Sequence, residues 1–290
     1  MYDPRKAEVA LRAIGPQLTG QSITVTNGTG GVDHVGFANG RPSAGVIGDG
    51  LGRRLDGRGI PAFDMVDGVA VIAIEGSLIQ KGGWIGASSG ETSYQGLQTQ
   101  IARAARSPDV KGVVFEVDSF GGMVNGAFET AAAISALSKA KPTIAILTDY
   151  AYSAAYLLAS QARQIVAPAF GGAGSIGAIM LHADYSSALD REGIDVTIIK
   201  SGAHKADGNP YERLPAATRD RWQAGVDAVR DQFAAVVGKG RAGRMTNAQA
   251  MKTEAQAFSA SEALELGLID AVGDGQQAFA EFIKAVNRRT

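Results

Sequence analysis

Ser153 lies in a segment of small residues, Tyr152-Ser153-Ala154-Ala155, between a predicted strand and a predicted helix. A serine hydroxyl in such a place is a candidate nucleophile if a nearby base removes its proton. The backbone N–H of Ala154, at the start of the helix, can then stabilise an oxyanion. A serine at this position can instead cap the helix. The residue types therefore leave two interpretations of Ser153, a nucleophile and an N-cap.

Lys205 is the candidate base for Ser153, because serine–lysine pairs are a known variant of the catalytic triad. A lysine can act in this way only if burial or a nearby cation lowers its pKa enough to leave it neutral. Taken alone, Lys205 is equally compatible with a solvated surface charge, and Lys200 in the same segment competes for the role. The neighbouring His204 is interpreted as a hydrogen-bonding wall of the site and not as a second base.

Gly121 and Gly122 follow another predicted strand and permit a tight turn with a close backbone approach to a ligand. An N–H group of this turn could pair with that of Ala154 to form an oxyanion hole. The alternative is an ordinary strand-to-helix turn. Residues 174–177, Gly-Ser-Ile-Gly, are similarly either a turn or part of a groove wall.

Short apolar runs alternate with amphipathic segments, which predicts an α/β fold with a mostly parallel sheet, repeated βαβ units and flanking helices. Ligand sites in such sheets lie beyond the carboxyl ends of the strands, where Gly121 and Ser153 both fall. The predicted strands are 69–74, 113–117, 143–147, 164–167, 176–182 and 196–200. The predicted helices are 93–106, 127–140, 153–161, 186–192, 218–237, 247–255 and 259–266.

The chain is predicted to divide into a flexible glycine-rich arm (1–65), a folded domain (66–275) and a helical tail (276–290), with a short helix at 8–14 inside the arm. Its 290 residues carry a net charge of −1 and no cysteine. This balance favours neither nucleic acid nor an anionic membrane as a partner, and it excludes disulfides and thiolate metal sites. We expect no membrane anchor or signal peptide and a cytoplasmic location.

Four short sequence motifs (blocks), in a fixed order along the chain, resemble those of a known family, and the resemblance extends over about residues 69–272. They begin at Asp118 (Asp-Ser-Phe-Gly-Gly), Tyr152 (Tyr-Ser-Ala-Ala-Tyr), Gly174 (Gly-Ser-Ile-Gly) and Lys200 (Lys-Ser-Gly-Ala-His-Lys). Together they resemble the signal peptide peptidase A family of serine peptidases, which share the ClpP/crotonase fold. The resemblance implies Ser153 as nucleophile and Lys205 as base. It also implies that the N–H groups of Gly121 and Ala154 form the oxyanion hole.

Within that family the blocks are most similar to the head-maturation proteases of tailed phages. This implies a serine endopeptidase that cleaves capsid and scaffold proteins, works as a homo-oligomer and acts in the host cytoplasm or the procapsid interior. No metal or organic cofactor is implied. The substrate groove is expected to include Gly122, Met123, Ser175 and His204.

The chain departs from the family pattern at two places. Phe120 replaces the usual proline of the glycine turn, and Ala154-Ala155 replaces the glycine pair that often follows the nucleophile. Three alternatives stay open: a crotonase-type acyl-CoA enzyme, a catalytically idle capsid-assembly component, and a bacterial peptidase that degrades signal peptides. The sequence also leaves open whether Ser153 and Lys205 pair within one subunit or between two.

Overall fold

A computed structural model describes residues 49–288, except 60, 83 and 89. The predicted helix at 8–14 and most of the predicted arm lie outside these residues. The strands of the described part are β1 Asp64–Val66, β2 Val69–Ile79, β3 Ala87–Ser88, β4 Glu91–Ser93, β5 Gly112–Gly122, β6 Thr143–Tyr152, β7 Gln164–Ala167, β8 Gly172–Gly174, β9 Ala257–Ser259 and β10 Ala271–Val272. Its helices are α1 Gly50–Asp56, α2 Tyr94–Arg106, α3 Ala127–Ala140, α4 Ala154–Ala159, α5 Ser186–Glu192, α6 Ala216–Gly240, α7 Asn247–Lys252, α8 Ala260–Glu265 and α9 Gly275–Asn287.

The strands form one sheet in the order β10-β7-β6-β5-β2-β4-β3, with β1 beside β2, and β8 between β6 and β9. The central pairs β2–β5, β5–β6 and β6–β7 are parallel. Parallel neighbours require helical crossovers, and α3 and α4 supply them between β5, β6 and β7. The predicted mostly parallel α/β sheet is therefore confirmed.

Alternate residues of the central strands pack into two separate apolar clusters, as the period of two in a strand requires. On one face Ile72, Phe115 and Leu147 join the large core that includes the apolar sides of α2, α3 and α4. On the other face Val114 and Ile146 join the smaller cluster, to which α9 contributes. The predicted helical tail thus corresponds to α9, whose residues pack on the sheet.

Two predicted strands, 176–182 and 196–200, are wrong. Ile176 is buried, but Leu181 is 81 % exposed and Ile199 is 95 % exposed, and both segments lie outside any strand. Each segment has the apolar pattern of a strand and lacks a neighbouring strand to bond with, and a single extended segment cannot satisfy its backbone groups alone. The segment from 178 to 215 instead leaves the sheet.

The part of the predicted arm that the structure describes contains α1 and the first two residues of β1. Leu51 of α1 is 2 % exposed. Arg103 of α2 forms ion pairs with Asp49 at 3.5 Å and with Asp56 at 2.7 Å, and so holds both ends of α1. Among the described residues, no helix combines the length and the apolar character that crossing a lipid bilayer requires.

Candidate active site

Ser153 occupies a strained turn between β6 and α4. Its φ of 53° and ψ of −128° are rare for a residue with a side chain and cost conformational energy. Its N–H donates to the Gly174 carbonyl at 2.9 Å, and its carbonyl accepts from the Leu157 N–H at 3.0 Å. The half-buried hydroxyl makes no capping hydrogen bond, so the N-cap interpretation does not describe this serine. A serine on a sharp strand-to-helix turn is the geometry that exposes a nucleophile.

Gly121, at the end of β5, packs directly against this turn. A Cβ atom at Gly121 would lie 2.7 Å from the Ser153 Cβ and 2.9 Å from the Ala154 nitrogen, closer than atoms of a real side chain approach. The φ of Gly121 is +98°, which also favours glycine. The structure therefore brings together three of the predicted site residues.

The two predicted oxyanion donors differ in their hydrogen bonding. Ala154 is the first residue of α4, where an N–H has no acceptor within the helix. The Gly121 N–H donates to the Ser119 Oγ at 3.0 Å. An oxyanion between these groups would therefore share the Gly121 N–H with a serine hydroxyl.

Three of the four predicted groove residues, Ser175, Gly122 and Met123, lie on segments next to Gly174 and Gly121, whereas His204 lies on the loop that carries Lys205. Ser175 is 8 % exposed, has a φ of 56° and donates its N–H to the Gln256 carbonyl at 2.8 Å. It follows Gly174, whose carbonyl accepts the hydrogen bond from the Ser153 N–H. On the other side Gly122 packs on the backbone of Leu78, and the next residue, Met123, is 54 % exposed.

The structure shows no direct contact between Lys205 and this group among the described residues. Lys205 is exposed on a loop after α5, and within the described residues no hydrogen bond or ion pair joins it to Ser153. The adjacent His204 donates from Nδ1 to Asp207 at 3.0 Å, and Arg221 of α6 also bonds to Asp207. Although desolvation opposes the change, the hydrogen bonds from Arg221 and His204 hold the pKa of Asp207 below its usual value.

Hydrogen bonds within the loop that carries Lys205, and the packing of Trp222 on it, define the conformation of this loop. The Asn209 side chain accepts from the Tyr211 N–H at 2.9 Å and donates to the Ala206 carbonyl at 2.9 Å. The Trp222 ring packs on Gly208 so closely that a side chain there has no room. We call residues 200–212 the base loop.

Residues 178–215, here called the projecting segment, contain the base loop and bury little apolar surface. None of the residues of α5 is buried. The only buried residues of α6 are Thr218 near its start and Phe233, Ala234 and Val237 near its end. The exposed apolar side chains of the projecting segment include Ile179, Met180, Leu181, Tyr185, Ile194, Val196, Ile199 and Tyr211. Such a concentration of exposed apolar groups is typical of an interaction surface.

An aromatic cluster beside the site was missed at the sequence level. Phe120 lies 5.4 Å from Tyr150 and 5.8 Å from Tyr152, measured between ring centroids, and the two tyrosines stack at 5.4 Å. The available signal was that Phe120 directly precedes Gly121 and Tyr152 directly precedes Ser153. The cluster packs the residue before Gly121 against the residue before Ser153.

The structure defines an α/β protein with a mostly parallel sheet, in which Ser153 lies on a strained strand-to-helix turn. Residues 135–288 match Peptidase family S49, and this chain belongs to that family. The family resemblance seen in the sequence blocks is thereby confirmed.

Two relatives come from phages. Capsid assembly protease C of Escherichia phage lambda is 32 % identical over 289 residues, which is 100 % of this chain and 64 % of that protein. Head-tail preconnector protein GP5 of Enterobacteria phage P21 is 37 % identical over 225 residues, which is 78 % of this chain and 44 % of that protein. The chain thus spans less than two thirds of the length of either relative.

Solved structures similar to this chain include a ClpP and an enoyl-CoA hydratase. A point mutant of ClpP1 from Listeria monocytogenes matches with a TM-score of 0.44 and 13 % identity, covering 71 % of this chain and 92 % of that one. An enoyl-CoA hydratase from Shewanella pealeana matches with a TM-score of 0.45 and 15 % identity, covering 77 % and 72 %. The sheet topology itself remains the basis of the fold assignment.

Proposed function

We propose that this chain is a serine endopeptidase that cleaves capsid and scaffold proteins during phage head maturation. The observation that carries the proposal is the Ser153 turn, where a strained backbone presents an uncapped hydroxyl beside the Gly121 turn. Strained residues are retained where the surrounding fold holds them for function. Membership of a peptidase family supports amide bonds as the target.

The proposed reaction proceeds through an acyl-enzyme. Lys205 in its neutral form takes the proton of Ser153, whose oxygen attacks the scissile carbonyl. The N–H groups of Ala154 and Gly121 hold the oxyanion. Lys205 then gives the proton to the leaving amine and later activates the water that releases the acyl group from Ser153.

We further propose that Lys205 reaches Ser153 from a neighbouring subunit of a homo-oligomer. The base loop is ordered by its own contacts but belongs to a projecting segment that leaves the sheet, and its apolar side chains are exposed. Docking of this segment on a second copy would bury those side chains and bring Lys205 into a water-poor site. A water-poor environment disfavours a charged ammonium group, and the base role requires a neutral amine.

The substrate class rests on the two phage relatives, whose names refer to capsid assembly and to the head–tail preconnector. Cleavage of such substrates would take place in the host cytoplasm or inside the procapsid. The idle-component alternative makes a different prediction, because an idle Ser153 would not react with a fluorophosphonate probe.

The test is co-expression with candidate capsid and scaffold proteins, followed by intact-mass analysis. Ser153→Ala and Lys205→Ala are expected to reduce cleavage by roughly a thousandfold or more, because removing either member of a catalytic unit disables it. Lys200→Ala is the matched control, since Lys200 is an exposed lysine at the start of the same base loop. It should retain wild-type cleavage. Full cleavage by Lys205→Ala would overturn the assignment of the base.

A further inference from the structure

The regular hydrogen-bonding ladder of the sheet is interrupted next to the site. The pairing of β2 with β5 shifts between Glu75 and Ser77, and that of β5 with β6 shifts between Val117 and Ser119. Such bulges leave backbone groups without their ladder partners. Gly76, within the first bulge, has a φ of +65° and turns its carbonyl toward β5.

The Ser119 hydroxyl bridges this interruption. Its Oγ donates to the Gly76 carbonyl at 2.6 Å and accepts from the Gly121 N–H at 3.0 Å. The side chain is 1 % exposed, so water cannot replace either bond. One hydroxyl thus ties the turn before Gly121 to the neighbouring strand.

We propose that Ser119 is a positioning residue, which holds the Gly121 turn at the distance from Ser153 that oxyanion stabilisation requires. This inference rests on the proposed function of Ser153. A Cβ atom built at Gly121 would lie 2.7 Å from the Ser153 Cβ and 2.9 Å from the Ala154 nitrogen, so the Gly121 backbone is close to the Ser153 turn. A shift of Gly121 therefore changes the space between the two proposed N–H donors. Stabilisation of an oxyanion depends on donors fixed in advance at hydrogen-bonding distance.

A structural role of Ser119 and a positioning role predict different effects of its substitution. Loss of packing lowers the fraction of folded protein but leaves the folded molecules fully reactive. Loss of positioning lowers the rate of the chemical step in folded molecules and leaves initial binding nearly unchanged. Ser119 itself is too buried to touch substrate, so an effect on binding is not expected.

The experiment compares Ser119→Thr with Ser119→Val in the full chain. These side chains have nearly the same shape, and only threonine keeps the hydroxyl. Labelling of Ser153 by a fluorophosphonate probe is followed by intact mass, and kinact and KI are determined separately on folded protein. We expect the valine variant to lose about tenfold or more in kinact with KI unchanged, while the threonine variant stays near wild type.

Ser160→Ala is the matched control. Ser160 is 0 % exposed, and its Oγ also donates to a carbonyl, that of Leu157, and accepts from an N–H, that of the Gln161 side chain, both at 2.8 Å. It lies at the far end of α4, so its loss should leave kinact unchanged. If Ser119→Val does not fold, Ser119→Ala takes its place.

Equal kinact for the two isosteric variants would overturn the positioning role, and so would an equal loss in Ser160→Ala. Failure of the proposed function has a different signature, because the wild-type protein itself would then leave Ser153 unlabelled and cut no capsid or scaffold protein.

Discussion

Ser153 and Ser175 are not glycine, yet both adopt a positive φ, of 53° and 56° respectively. The two residues are linked, because the Ser153 N–H bonds to the carbonyl of Gly174, which precedes Ser175. The surrounding residues of α4 are all buried and hold the turn in place. Each such residue costs on the order of 1–3 kcal/mol, and strain of this kind is concentrated at functional sites.

Glu75 provides a residue-scale prediction about pH. Burial, followed by the charges of Glu116 and Asp118, raises the pKa of Glu75 above its ordinary value. The folded protein therefore holds this proton more tightly than the unfolded chain, and stability falls as pH rises through the raised pKa. Glu75→Gln removes this penalty and is expected to raise Tm at pH 8 but not at pH 4.

Calorimetry at the two pH values checks this expectation. Glu265→Gln is a suitable control, because Glu265 is exposed at the end of α8 and its replacement should change Tm little at either pH. A Tm for Glu75→Gln at pH 8 that is equal to or below that of the wild type would contradict the raised pKa.

At the scale of elements, the sequence predicted those helices and strands whose bounds follow from the local spacing of apolar residues and from stop signals. The bounds of α3, β7 and α5 were predicted as observed, because each has a distinct apolar period and a stop signal. Segments 176–182 and 196–200 have strand-like patterns but no strand partner, which local pattern cannot reveal. The short strands β4, β8, β9 and β10 depend on partners distant in sequence and were missed, as was β3, which pairs with β4.

The candidate site was predictable to a similar degree. Ordered blocks located Gly121 and Ser153, which the structure places in contact. The role of Ser119 depends on a bond to Gly76, 43 positions away, and no local pattern encodes it. Whether Lys205 pairs with Ser153 within one subunit or between two was also not readable from sequence, because local pattern does not encode how the projecting segment packs.

Arg241 and Asp270 form an element-scale clamp. The guanidinium is 0 % exposed and donates to both carboxylate oxygens, at 2.8 Å and 2.9 Å, and to the Gly267 carbonyl. Asp270 also accepts from the Ile165 N–H at 2.7 Å, so the clamp joins the end of α6 to β7. Asp270→Asn leaves a buried cation without its counter-charge and should lower the free energy of unfolding by about 3–5 kcal/mol.

Urea unfolding at one fixed protein concentration measures this loss. Asp220→Asn is the control, because Asp220 pairs with Arg219 on the exposed surface of α6, with both side chains about equally open to solvent. Such a pair contributes about 1 kcal/mol or less. Equal losses in the free energy of unfolding for the two substitutions would show that the buried ion pair stabilises the fold no more than the exposed pair does.

At the scale of the whole molecule, the proposed pairing of Ser153 and Lys205 between subunits predicts how mixed oligomers behave. Ser153→Ala and Lys205→Ala protomers are each expected to be inactive alone. If a site takes its serine and lysine from different subunits, random co-assembly should restore about a quarter of the wild-type sites. The measurement is fluorophosphonate labelling after the two variants are unfolded, mixed and refolded together.

Mass photometry of differently sized tagged protomers verifies that mixed oligomers form. Co-assembled but unlabelled mixtures would place both residues in one subunit and overturn the pairing across the interface. A doubly substituted protein, mixed with the wild type in the same ratio, controls for simple dilution of active protomers.

Trp222 lies on the first half of α6, against Gly208 of the base loop and with its ring 6.0 Å from that of His182. The chain has two tryptophans, and the other, Trp84, lies near β4, to whose Glu91 carbonyl it donates. Replacing Trp84 by phenylalanine would leave a single indole at the base loop. Its emission would then be an intrinsic optical signal, without an attached dye, for the proposed docking of the base loop on a neighbouring subunit.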